Sequence, residues 1–315
     1  MVASSTAGDA PLGRDNAEKP SPPGRETPDS SPISYRLHRL SILAAALLFS
    51  TGGAAIKATT LSSWQVASFR SGVAALFLLL AIPQTRRFWS PRTLTVAVAY
   101  AATLTLFVTA NKLTTAANAI FLQSTAPIYL LLLGPCVLRE TVRRADLLFA
   151  LGMAVGMALF FVGTESPTST APDPALGNLV GAASGLTWAV TLLGLRWLGR
   201  NDTNDSSAAQ AVVAGNVFTC LACLPLALPV TSHSPTDWTM VGFLGVFQIG
   251  IAYIFMTRGM RGVPALEASL LLLLEPVASV FWAWSFHGET PGSWSLAGCV
   301  LILVSTVSRV AHHRW

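Results

Sequence analysis

The sequence predicts an all-α membrane protein of ten transmembrane helices, arranged as two inverted five-helix repeats. Three observations lead there. Of the 315 residues, 52% are hydrophobic and only 11% are charged, against about 25% charged in a soluble domain. Apolar runs of about twenty residues, enough to cross a ~30 Å hydrocarbon layer, recur along most of the chain. A stretch of the first half also returns in the second, in the same relation to a proline and a Glu-Thr pair.

In chain order, residues 1–33 are rich in Pro, Ser, Gly and charge. They bury too little apolar surface to fold and read as a disordered cytoplasmic tail. No apolar core of a signal peptide precedes residue 40. The expected spans are 40–57, 64–83, 93–110, 116–137 and 146–163, then 177–197, 208–229, 239–257, 263–285 and 293–309. Most connections are short, so consecutive helices are expected to be antiparallel neighbours. The longest, 164–176, carries three prolines. It divides the chain into repeats at 40–163 and 177–310. With both termini in the cytoplasm, all but Lys57, Lys112 and Arg70 of the 20 basic residues fall on the inner side, as the positive-inside rule requires. That asymmetry explains the net charge of +5 without nucleic acid, for which a basic face would be needed.

The internal echo pairs ANAIFLQSTAPIYLLLLGPCVLRET (117–141) with LEASLLLLLEPVASVFWAWSFHGET (266–290). Pro127 precedes Glu140 by thirteen residues, and Pro276 precedes Glu289 by thirteen. The echo maps the fourth span onto the ninth. Five spans per repeat, an odd number, make the halves insert in opposite senses, and inverted repeats place a transport site near the midplane at their interface.

Several passages resemble one family in order and spacing: FSTGGAAIK (49–57), ASFRSGVAALFLLL (67–80), NKLTTAANAIFLQSTAPIYLLLLG (111–134) and AYIFMTRGMRGVPALEASLLLLLEPV (252–277), with Trp188 in the sixth span. Together they are similar to the EamA-type transporters of the drug/metabolite transporter superfamily, over nearly all of residues 40–310. The resemblance implies a ten-helix inverted-repeat transporter of small metabolites in a plasma or inner membrane, often working outward. Glu267 departs from it, standing where the family usually has a small apolar residue.

The candidate site residues are the polar groups inside spans. A charge at bilayer depth costs ~2.5–3.5 kcal/mol on insertion scales and marks function by default. Glu275, in the middle of the ninth span, reads as a site for a proton or a cationic group, or else as a group that locks a kink at Pro276. Pro127 is the matching kink position. Glu267, a turn from the inner end, reads as a partner of Arg258 or Arg261, or as a site. Arg70 lies six residues after Trp64, ~9 Å below the outer boundary. It suits an anionic group of the solute or a set of helix-end carbonyls. Lys57, at the outer end of the first span, reads as a residue that can snorkel, or else as a functional group. Tyr100, Asn118, Gln123, Asn216, Gln248 and Tyr253 are expected to bridge helices, some of them lining the solute path. Trp188 reads as packing more than as a stacking platform.

Glycines 152 and 156, and 177, 181 and 185, make small-residue faces that suit either packing between the halves or a homodimer. Cys220 and Cys223 form a CxxC, but inside an apolar helix it reads as packing. No HExxH, GxSxG or phosphate-cradling loop is present. Glu267 and Glu275 are eight residues apart, ~12 Å along a helix, too far for a glycosidase-like pair. The expected function is therefore not enzymatic and calls for no metal or cofactor. It is secondary transport of a small molecule by alternating access, with a proton as the candidate coupling ion and amino acids or related compounds as the candidate exported solutes. The alternatives are an exchanger of phosphorylated sugars or nucleotide-sugars, a multidrug exporter, and, more remotely, a membrane scaffold or an intramembrane enzyme.

Overall fold

The structure, a computed structural model, describes residues 32–87, 89–138, 144–162, 166–201, 207–260, 262–263 and 271–312. Among the described residues there is no strand. Glu267, Glu140, Arg261 and most of the expected tail lie outside them.

The first helix, α1 (Pro32–Ser50), starts earlier than expected, with a proline in its opening turn, where a missing N–H costs nothing. It breaks at Thr51 and resumes as α2 (Gly52–Lys57). Helix α3 (Ser63–Ala81) opens with a reciprocal cap. Gln65 N donates to Ser62 Oγ at 3.2 Å and Ser62 N to Gln65 Oε1 at 3.0 Å, so two orphan amides of the first turn are satisfied. Helix α4 (Pro91–Leu113) has Ser90 as its cap.

The fourth span is two helices, α5 (Ala116–Gln123) and α6 (Ala126–Leu138), with Pro127 just inside the second. Helices α7 (Arg144–Val162), α8 (Pro174–Asn201) and α9 (Ser207–Ala227) follow. The eighth span runs as α10 (Pro235–Phe243), a π-helical stretch (Leu244–Ile251) and α11 (Ala252–Met260). Next come α12 (Leu274–His287) and α13 (Ser293–His312). Pro276 lies in the first turn of α12, just after a turn at Leu273 that follows helical residues 271 and 272. The breaks before Pro127 and Pro276 fall at corresponding places in the internal echo.

Seven helical stretches among the described residues are long and apolar enough to cross a membrane, and Leu147–Val162 and Ser293–Arg309 are shorter apolar helices. The expected ninth span runs through residues 264–270, outside the described set. Side chains such as Leu76, Leu80, Leu132, Leu148 and Phe286 are exposed. On a bundle of this composition they form the lipid-facing surface.

The two halves interdigitate. Helix α4 packs on α8 and α9, α3 on α9 and the π-helical stretch, α1 on α11 and α12, and α7 on α13. Glycine makes these approaches possible. A Cβ on Gly156 would stand 2.8 Å from Ile302 Cγ1, and one on Gly185 would stand 2.8 Å from Leu122 O. The two glycine faces therefore pack the halves together within one chain. Cys220, Cys223 and Cys299 are free thiols, as the packing reading of the CxxC expects.

Gly185→Val should push α8 away from the α5–α6 break, at a cost of about 1–3 kcal/mol. The expected readout is a lower thermal unfolding midpoint in detergent. Gly242→Ala, at a position with nothing within 4 Å of the added carbon, should leave the midpoint unchanged.

Candidate functional site

Among the described residues Arg70 is the largest fully buried side chain, 1% exposed, in the middle of α3. Its Nη2 donates to Leu104 O of α4 at 3.3 Å. Nε and Nη1 have no partner among the described residues. The titratable side chains beside it are Tyr100 and Cys223, and no carboxylate among the described residues faces it. The reason lies in the packing of α3. Glycine at 245 lets the π-helical stretch close onto the Arg70 backbone, since a Cβ there would stand 2.8 Å from Arg70 O. Gly215 likewise lets α9 close onto Tyr100. The guanidinium is thus enclosed by elements that supply almost no acceptors.

Three of the expected residues, Tyr100, Asn216 and Trp188, gather around this centre, while Gln248 lies against Gly52 of α2. Tyr100 lies beside Arg70 and Asn216, and its ring tilts against Trp188 at 6.3 Å between centroids. Gln248 sits on the π-helical stretch that packs on α3, and its Oε1 has no partner among the described residues. A widened helical turn of this kind often accompanies functional positions. Tyr253 lies further along, packed with Leu78, Val212 and Val213.

Other expected residues lie apart from it. Asn118 Nδ2 donates to Asn178 Oδ1 at 3.1 Å, and Asn178 Nδ2 donates to Phe160 O at 2.8 Å. Asn118 therefore ties α5 to α7 and α8. Gln123 Nε2 donates to Ser184 Oγ at 2.9 Å. Glu275, half-buried in the first turn of α12, shares a helix face with Ser279 and Trp282. Ser279 Oγ donates to Ser50 O at 2.9 Å and Trp282 Nε1 to Ser50 Oγ at 3.0 Å. That face therefore looks at the break between α1 and α2, where a carbonyl is free to accept. No charged group stands beside Glu275 among the described residues.

The sequence reading missed a second polar centre, at the end of the bundle where α2, α4 and α12 finish. Lys57 does not snorkel: its Nζ lies 2.9 Å from Glu289 Oε1, and the two side chains are 2% and 4% exposed. Lys57 also donates to Thr114 O at 2.9 Å and to Thr170 O. Glu289 Oε2 accepts from Ala116 N, the first amide of α5, at 2.9 Å. Gly288, at φ 63°, turns the chain so that Glu289 can reach it. Nearby, Lys112 Nζ donates to Thr59 O at 2.7 Å, and Asp237 accepts from Thr60 N at 2.7 Å. The missed signal was charge accounting. Lys57 and Lys112 were the basic residues assigned to the outer side, and Glu289 follows an outer span end.

The sequence profile of the EamA-like transporter family matches residues 38–162 and 175–308. The chain belongs to the EamA-like transporter family. Among its relatives, the Pseudopaline exporter CntI of Pseudomonas aeruginosa (strain UCBPP-PA14) is 26% identical over 276 residues, 85% of this chain and 94% of that one. The Uncharacterized transporter YyaM of Bacillus subtilis (strain 168) is 23% identical over 207 residues, 64% of this chain and 67% of that one. A solved crystal structure at 20% identity covers 87% of this chain and 96% of its own, with a TM-score of 0.58. That likeness shows the fold. The EamA-like family is one of transporters, which points away from an enzyme and toward a membrane setting with a small-molecule solute.

A buried cation without a counter-charge costs several kcal/mol of stability even after relaxation. Arg70→Met should therefore hold or raise the thermal midpoint in nanodiscs. A lower midpoint would mean that Arg70 is a structural anchor.

Proposed function

We propose that this EamA-like protein is a secondary transporter that exports amino acids or related small metabolites by alternating access across the inner membrane. The observation that carries the reading is Arg70, a cation buried in α3 with two unsatisfied donors among the described residues. A solute carboxylate supplies both the missing charge and the missing acceptors, in the forked geometry that guanidinium favours. Tyr100 and Asn216 are polar partners for the rest of a small solute. The exporter named among the relatives supports the outward direction.

Glu275 takes the proton or amine role in this reading. It stands in the first turn of α12, after a break in the chain's helical path and without a charged neighbour among the described residues. Broken helices at a repeat interface are where transporters of this architecture gather their solute and ion contacts. The breaks at Pro127 and Pro276, and the match of the family profile to both halves, support two inverted repeats. Both termini are then cytoplasmic. The phosphorylated-solute alternative is less favoured, because it calls for several Lys or Arg at membrane depth. Among the described residues Arg70 stands alone at that depth.

The test is solute and proton flux in liposomes challenged with separate pools of amino acids, nucleosides and cationic drugs. The expected result is flux with the amino-acid pool, lost in Arg70→Met. Glu275→Gln should abolish the proton flux that accompanies it. Amino-acid flux that survives Arg70→Met would overturn the anionic-group reading. Proton flux unchanged in Glu275→Gln would remove Glu275 from coupling.

A further inference from the structure

The pair at the end of the bundle is unlike the other ion contacts a surface presents. Lys57 and Glu289 are almost fully enclosed, and between them they hold four separate pieces of chain. Lys57 ends α2 and reaches the Thr114 carbonyl and the 166–173 segment through Thr170. Glu289 follows α12 and covers the first amide of α5. The pair ties these segments together at that end of the bundle.

Charge is a poor structural cement there but a good latch. A buried ion pair loses so much hydration that its attraction is largely cancelled, and replacing it with apolar groups is often neutral or stabilising. Separating the pair into water returns that hydration, whereas separating an apolar seal would expose greasy surface. The element that carries Lys57 is short and set off from its neighbour. Helix α2 is cut from α1 at Thr51, and Gly52 and Gly53 sit against Gln248 and Asn111 with no side chain of their own.

Resting on the transport reading above, we propose that Lys57 and Glu289 form the gate latch of the transport cycle. They hold the outer mouth closed in the state described here and part when the mouth opens. Loss of one partner leaves the other as a lone buried charge, which is relieved only by letting water in. Either single substitution should therefore bias the protein toward the open mouth.

The test reads the mouth directly. In nanodiscs, a cysteine at Ala117, 2% exposed beside the Glu289-bound amide, is labelled with a water-soluble maleimide. The same chain without the added cysteine sets the background from the native thiols. Labelling should be slow with the pair intact and with Lys57→Arg, and about tenfold faster or more with Lys57→Met or Glu289→Gln. A cysteine at Ala211, 0% exposed and packed with Val96 and Leu198, should stay slow in every background. Equal rates at Ala117 across all variants would overturn the proposal. So would faster labelling at both positions, which would mean that the pair is a general structural tie. The labelling does not depend on solute movement. Labelling as expected, with no flux from any solute pool, would sink the transport reading alone.

Discussion

A bilayer core offers the backbone no water to bond with, so each place where a helix stops inside it must find acceptors and donors from protein. This chain stops its helices in the spans at Thr51, at Ser124–Thr125 and just before Leu274. Each stop has a local answer. Ser279 and Trp282 cover Ser50. Thr125 Oγ1 donates to Leu122 O at 2.6 Å and Ser124 Oγ to Ile120 O at 2.8 Å. Leu274, Glu275 and Pro276 open α12, with the proline where no amide is needed. The same constraint decides which helices can be neighbours. Small residues allow the close approaches through which side chains of one half reach the backbone of the other.

Against that background of satisfied groups, the exceptions carry information. Lys57, Glu289, Lys112 and Asp237 all have partners within hydrogen-bonding range. Arg70 has one long contact, and Glu275 has no charged neighbour among the described residues. A protein under selection for stability alone would have little reason to keep either as a charge, because well-packed apolar side chains of similar volume are often at least as stable. The paired charges close the bundle end and the unpaired ones wait within it. In the reading proposed above, that division separates residues that govern access from residues that meet the solute.

The sequence made the membrane spans legible because hydropathy acts residue by residue. Pro127 and Pro276 pointed to the helix breaks, since the conformational limits of proline are local. The role of the CxxC as packing was also readable, because its surroundings in sequence are apolar. Other features depend on three-dimensional meetings that no local pattern records. Gly185 faces Leu122 and Gly156 faces Ile302, so glycine faces that fit two uses in sequence have one use in the fold. Asn118 meets Asn178 of α8, a pairing between residues sixty apart. The π-helical stretch Leu244–Ile251 is a tertiary accommodation, since α3 presses on it through Gly245 and Gly250. Lys57 and Glu289 are far apart in sequence, and each alone resembles an ordinary charge at a span end.

The two polar centres are connected by α4. Arg70 bonds the Leu104 carbonyl, and Lys112, on the same helix, bonds Thr59 in the loop after α2. The step of eight residues puts these contacts ~12 Å apart along a single rigid element. Helix α4 also makes the most extensive helix contact with α8, in the opposite half. A shift of α4 that followed the filling of the Arg70 centre would therefore be felt at the loop next to Lys57, and the reverse holds by reciprocity of linkage. A transporter needs that kind of coupling: occupancy deep in the bundle must bear on whether its end stays shut. Here the shortest covalent route for it is two turns of helix.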